Sequence, residues 1–132
     1  MTEGLFRELQ DLAQRAYAPY SRFRVAAILA DADGNHATGI NVENASYGLT
    51  SCAERNAVFQ FLASGLKRPA ILYLYTETDR FTAPCGACRQ VLLEFDRHLE
   101  IVMVNQKGET QRTTIGELVP MPFSSSDLKE AT

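Results

Sequence analysis

The feature that most constrains this chain is the placement of its three cysteines. Cys52 and the Cys85-Gly-Ala-Cys88 step, 33 residues further on, each open a predicted helix directly after a strand and loop. In an open α/β sheet, functional groups collect where strands end and helices begin. Two such helix starts on adjacent crossovers can bring all three sulfurs together. Three thiolates leave one position of a zinc tetrahedron open, which is what a catalytic zinc needs for water. The positive helix ends lower thiol pKa values and offset the thiolate charge. Glu54 lies two residues past Cys52 in the first turn, so its side chain is splayed away from the sulfur. A carboxylate there can move protons without binding metal.

The rest of the chain supplies the frame. Leu5, Leu9, Leu12 and Ala16 recur at helical spacing and predict a helix over 3–17, stopped by Pro19. The run from Phe23 to Ala30 predicts a buried strand, Asp31–Asn35 a turn with Gly34 at its tip, and 36–42 a second strand. Thr50 and Ser51 are candidate N-caps for a helix that opens at Cys52 and ends at Gly65. Strands at 70–75 and 101–104 flank a helix opened by Pro84, whose core face is Val91, Leu92, Phe95 and Leu99. Thr110–Thr114 reads as a short fifth strand. Strands alternating with helices imply a three-layer α/β domain, a single one over 1–132.

Composition narrows the function. The net charge of −3 and the scattered basic residues, Arg7 to Lys129, favour a small-molecule ligand over nucleic acid. No apolar run reaches the roughly 20 residues of a membrane helix. The alternating N-terminus does not read as a signal peptide. With an odd cysteine count, this makes the expectation a cytoplasmic protein without disulfides.

Cys52-Ala-Glu-Arg and Pro84-Cys-Gly-Ala-Cys-Arg-Gln resemble the two zinc motifs of the cytidine deaminase superfamily. Tyr20-Ser-Arg-Phe-Arg-Val, Asn41-Val-Glu-Asn-Ala-Ser-Tyr-Gly and Leu118-Val-Pro-Met-Pro-Phe are similar to the small homotetrameric cytidine deaminases, so the likeness spans about residues 12–128. It departs at Ala26, where the family often has glycine, and at Ser124-Ser-Ser, where it often has Gly-Pro. The resemblance implies one zinc per chain held by Cys52, Cys85 and Cys88, with Glu54 as proton shuttle. It implies that Asn41 and Glu43 bind the ribose, that Phe23 packs on the pyrimidine, and that Ala53 offers it a backbone contact. Ala45, Tyr47 and Phe123 would reach the sites of neighbouring subunits, while Arg55 and Gln90 would hydrogen-bond ligand sulfurs. The implied fold is an α/β/α sandwich on a five-stranded mixed sheet of order 2-1-3-4-5, the last strand antiparallel to the fourth.

The expected reaction is hydrolytic deamination of cytidine and deoxycytidine to uridine and deoxyuridine, with ammonia released. Free cytosine is expected to be a poor substrate because Asn41 and Glu43 would stay buried and unpaired, and the monophosphate because Glu43 repels it. Other readings remain open at this point. A blasticidin S-type deaminase shares both zinc motifs, and Asn41 with Glu43 argues against it. A zinc-stabilised binding module would need no Glu54, and neither His36 nor His98 stands at the spacing of a fourth ligand. A redox C-x-x-C pair would not need the distant Cys52.

Overall fold

A computed structural model describes residues 1–130. Thr2 caps the first helix, α1 (Glu3–Gln14), its hydroxyl accepting from the Leu5 amide at 3.1 Å. The helix is shorter than its apolar spacing predicts. Tyr17 is drawn instead into a bridge with Val42, its amide donating to Asn41 O (3.0 Å) and its carbonyl accepting from Glu43 N (2.8 Å).

Five strands follow: β1 (Val25–Ala30), β2 (His36–Ile40), β3 (Ile71–Thr76), β4 (Glu100–Val104) and β5 (Thr110–Thr114). They form one sheet in the order β2-β1-β3-β4-β5. β1 is antiparallel to both β2 and β3, β3 is parallel to β4, and β4 is antiparallel to β5. The order and the mixed pairing are those the resemblance implied. β1 starts two residues later than expected and β2 stops two residues earlier. Beyond Ile40 the chain leaves the ladder, and Val42 bridges Tyr17 on one side and Ser51 on the other.

The period-two alternation of the central strands sorts their side chains into two cores. Ala26, Ile28, Tyr75, Val102 and Val104 pack under Leu9 and Ala13 of α1. Ala27, Leu29, Leu72, Leu74, Ile101 and Met103 pack on the other face. That second face carries α2 (Ala53–Ala63), α3 (Gly86–Leu93) and the short α4 (Ile115–Leu118) through Ala57, Phe61, Leu92 and Ile115. Helices on both faces make the three layers. A 3₁₀ turn (Tyr47–Leu49) precedes α2, and α5 (Ser125–Glu130) closes the described chain.

Gly65 ends α2 at φ +91°. Leu66 N reaches back to Phe61 O (3.2 Å) and Gly65 N to Leu62 O (3.0 Å), closing a Schellman cap that favours glycine at this φ. α3 ends sooner than its apolar residues suggest. Phe95 and Leu99 still pack against the core, but from the loop that enters β4.

Phe61 is fully buried at the centre of the α2 layer. Phe61→Ala is expected to lower stability by about 3–5 kcal/mol, read as a shift in the urea midpoint with unchanged slope.

Candidate metal centre

Two helix starts meet at one end of the sheet. Cys52 occupies the N-cap position of α2, not Thr50 or Ser51, and Cys85 the N-cap position of α3. Cys88 lies one turn into α3 and is buried, while Cys52 is half-buried and Cys85 exposed. The Cys52 and Cys85 sulfurs are 3.8 Å apart, those of Cys85 and Cys88 are 3.2 Å apart, and all three lie within 4.8 Å of one another. Zinc–thiolate bonds of about 2.3 Å in a tetrahedron put sulfurs roughly 3.8 Å apart, so the donor set fits that metal.

Its charge chemistry fits too. Burial works against the Cys85 thiolate, but the backbone and side chain of Cys88 and the nearby Cys52 lower its pKa. Burial and the Glu54 carboxylate push the Cys88 thiol up. Three sulfurs this close can lose their protons together only around a cation. Arg55 supplies part of that charge: its Nη2 donates to Cys52 Sγ and to Thr50 O, each at 3.4 Å.

Glu54 follows Cys52 by two positions and is 5% exposed. Burial raises its pKa, opposed by weaker contacts with its own backbone and Cys88. A carboxyl raised in this way suits proton transfer near neutral pH.

The other residues singled out in the sequence fall around this corner in different ways. Asn41 is buried, and its side chain holds the start of β1: Oδ1 accepts from Val25 N (3.0 Å) and Nδ2 donates to Phe23 O (2.8 Å). Glu43 Oε1 accepts from the amides of Tyr20 (2.9 Å) and Ser21 (3.0 Å), and Oε2 from the Ser21 hydroxyl. The Ser21 hydroxyl, then its amide, lowers the Glu43 pKa. Neither group is therefore unpaired without a ligand, contrary to the expectation for free cytosine; the chain itself supplies most of their partners.

Tyr47 is 76% exposed and stands edge-on to Tyr20, ring centres 6.1 Å apart. Both rings line a cleft of about 410 Å³ with Ser21, Glu43 and Thr50. Arg55 links Thr50 of that cleft to Cys52 of the sulfur cluster. Phe23 and Ala45 are exposed. The Ala53 side chain is buried and its carbonyl faces Gly39 of β2. The Ala53 amide, a first-turn donor without an intrahelical acceptor, is then the backbone group available to a ligand. Gln90 bonds no sulfur among the described residues: its Nε2 donates to Phe123 O at 2.9 Å, holding the exposed Phe123 against α3.

Arg89 has no assigned role in the sequence beyond its place in the second zinc motif. In the fold it is half-buried, and it donates to Pro84 O (2.8 Å) and Leu118 O (3.2 Å), tying the turn before Cys85 to the end of α4. Its position next to Cys88 was the available signal.

Comparison with known proteins agrees with this geometry. Residues 1–105 match the zinc-binding region of cytidine and deoxycytidylate deaminases. The chain belongs to that family. Among its relatives is the cytidine deaminase of Sporosarcina psychrophila, 39% identical over 130 residues, which covers 98% of this chain and 96% of that protein. The cytidine deaminase of Halalkalibacterium halodurans is 40% identical over 127 residues, 96% of each. The crystal structure of the Burkholderia pseudomallei cytidine deaminase superposes with a TM-score of 0.86 at 45% identity, covering 93% of this chain and all of that one. The family's metal is zinc, and Cys52, Cys85 and Cys88 form a group able to hold it.

Two outcomes follow. Purified protein is expected to carry one zinc per chain with three sulfur neighbours, read by metal analysis and X-ray absorption; a four-sulfur shell would contradict the site. Glu43 has a folded pKa below its ordinary value, so its contribution to stability is present above the ordinary carboxylate range and is lost as pH falls through the depressed value. Wild type is expected to exceed Glu43→Gln in thermal stability at neutral pH, with the gap closing in acid.

Proposed function

We propose that this chain catalyses hydrolytic deamination of free cytidine and deoxycytidine to uridine and deoxyuridine, releasing ammonia. The observation that carries the reading is the buried carboxyl of Glu54, with its raised pKa, standing in the first turn of α2 beside the sulfur of Cys88. A structural metal site has no use for it.

Zinc, held by Cys52, Cys85 and Cys88, would supply Lewis acidity that lowers the pKa of water at the open corner. Glu54 then does the proton bookkeeping. Its carboxylate takes a proton from the attacking water and passes it to the ring nitrogen beside the carbon under attack. It takes the second water proton and delivers it to the departing amino group. The carbon–nitrogen bond breaks, ammonia leaves, the carbonyl of uridine remains, and Glu54 returns to its starting state. The Arg55 guanidinium keeps the Cys52 sulfur from becoming too strong a competitor for those protons.

The nucleoside reading rests on Asn41 and Glu43. A carboxylate offers about four lone-pair sites, and the chain fills three on Glu43, leaving one on Oε2 for a sugar hydroxyl. Asn41 likewise keeps one N–H and one lone pair. Free cytosine forfeits these bonds, the one at buried Asn41 being worth about 0.5–1.5 kcal/mol, without leaving either group bare. The relatives' names, cytidine deaminases throughout the proteins compared above, support the same substrate.

The fuller reading is a single deaminase domain that works as a homotetramer in the cytoplasm, with Ala45, Tyr47 and Phe123 completing neighbouring sites. The exposed Tyr47, Leu49, Phe59 and Phe123 side chains support association, and the free cysteines suit a reducing compartment. No described helix is long and apolar enough to cross a membrane.

Glu54→Gln is expected to keep zinc and fold while turnover falls roughly a hundredfold to ten-thousandfold, followed by ultraviolet absorbance on cytidine. In a panel of cytidine, deoxycytidine, cytidine monophosphate, cytosine and blasticidin S, the two nucleosides are expected to give the highest kcat/KM. A better monophosphate or blasticidin S would overturn the ribose assignment. Light scattering under assay conditions is expected to show a tetramer.

A further inference from the structure

The first turn of α2 carries both Cys52 and Glu54, so whatever fixes that turn fixes the chemistry. Two features do so, and both lie outside the zinc motifs. The first is a backbone contact. A Cβ on Gly39 of β2 would collide with Ala53 O and stand 2.5 Å from Ala57 N, so α2 rests directly on β2 with no side chain between. The second is Asn56. Its amide nitrogen donates to Ile40 O at the end of β2 (2.7 Å), and its Oδ1 accepts from the Ser51 hydroxyl (2.6 Å). Its backbone N–H closes the first turn onto Cys52 O (3.1 Å). One residue therefore joins β2, the residue preceding Cys52, and Cys52 itself.

We propose that Asn56 is a positioning residue of the metal centre, clipping the Ser51–Cys52 turn to the end of β2 so that Cys52 Sγ meets the sulfurs of α3. The inference rests on the three-cysteine reading of the site. Gly39 sets how deep α2 sits, and Asn56 sets where its first turn points. Without the clip, Ser51 keeps only its backbone bridge to Val42, and Cys52 Sγ loses its fixed approach.

The test uses the zinc-loaded full chain and its cobalt(II)-substituted form. Asn56→Ala is expected to release zinc to a chromophoric chelator roughly ten to a hundred times faster. The thiolate-to-cobalt charge-transfer band should weaken, and kcat for cytidine should fall with KM nearly unchanged. Ser51→Ala, which removes only the hydroxyl, is expected to show part of the same loss and carries the test if Asn56→Ala fails to fold. The double variant should lose no more than Asn56→Ala, because the two side chains act as one unit. Ser64→Ala is the control: it removes a bond to Phe61 O at the far end of the same helix and is expected to leave zinc release unchanged. Folded Asn56 and Ser51 variants with wild-type zinc release and cobalt spectrum would overturn the proposal. So would a Ser64→Ala variant that loses zinc equally. A wild-type protein whose cobalt form lacks any thiolate band would overturn the three-cysteine reading instead.

Discussion

The site depends on the relative direction of three strands. β1 runs antiparallel to both of its neighbours, so β2 and β3 point the same way, and β4 is parallel to β3. The chain leaves β2 and starts α2; it leaves β3 and starts α3. Both helices therefore begin at the same end of the sheet, and Cys52 and Cys85, at the two N-cap positions, come within 3.8 Å. Reversing either pairing of β1 would send the two helix starts to opposite ends. The antiparallel insertion of β1 between two parallel strands is thus as necessary to the metal centre as the cysteines.

That arrangement concentrates positive ends where negative charge is needed. Two helix N-termini face the sulfurs, and Arg55 adds a full charge from within the first turn of α2. The corner is then built for a cation with three thiolates, and without one the Cys88 thiolate is disfavoured by burial and by the Glu54 carboxylate. Close backbone packing at Gly39 gives the corner its rigidity, since α2 cannot move toward β2 and is held from moving away by Asn56.

Much of this is legible in the amino-acid sequence alone. The spacing of Cys52, Glu54, Cys85 and Cys88 already pointed to the metal chemistry, because helix-opening positions are marked by local residues. Strand and helix order followed from apolar runs broken by turns. The misjudged parts are those decided by tertiary hydrogen bonds. Tyr17 continues a helical pattern but is captured by Val42. Asn41 and Glu43 alternate like one polar strand face, yet they lie past the strand and are held by the 20–25 segment. Arg89 and Gln90 sit on exposed-looking helix positions, and the return of the chain at 118–123 gives each of them a distant carbonyl to bind. No local pattern announces such partners, because they come from 29 and 33 residues away.

The two glutamates show how one small fold assigns opposite tasks to the same chemical group. Glu54 is enclosed by the core and the sulfurs, so burial favours its protonated form and its pKa rises. Glu43 lies in an open cleft among N–H and O–H donors, so its charged form is favoured and its pKa falls. In the proposed reaction the first gains and loses a proton within one cycle, while the second stays an anion and serves as a fixed acceptor. Exchanging their surroundings would leave a shuttle that never picks up a proton and a clamp that repels nothing and orients little. Desolvation at one end of α2 and hydrogen bonding at the end of β2 thus divide catalysis from recognition, and the division is set by where β2 stops and α2 begins.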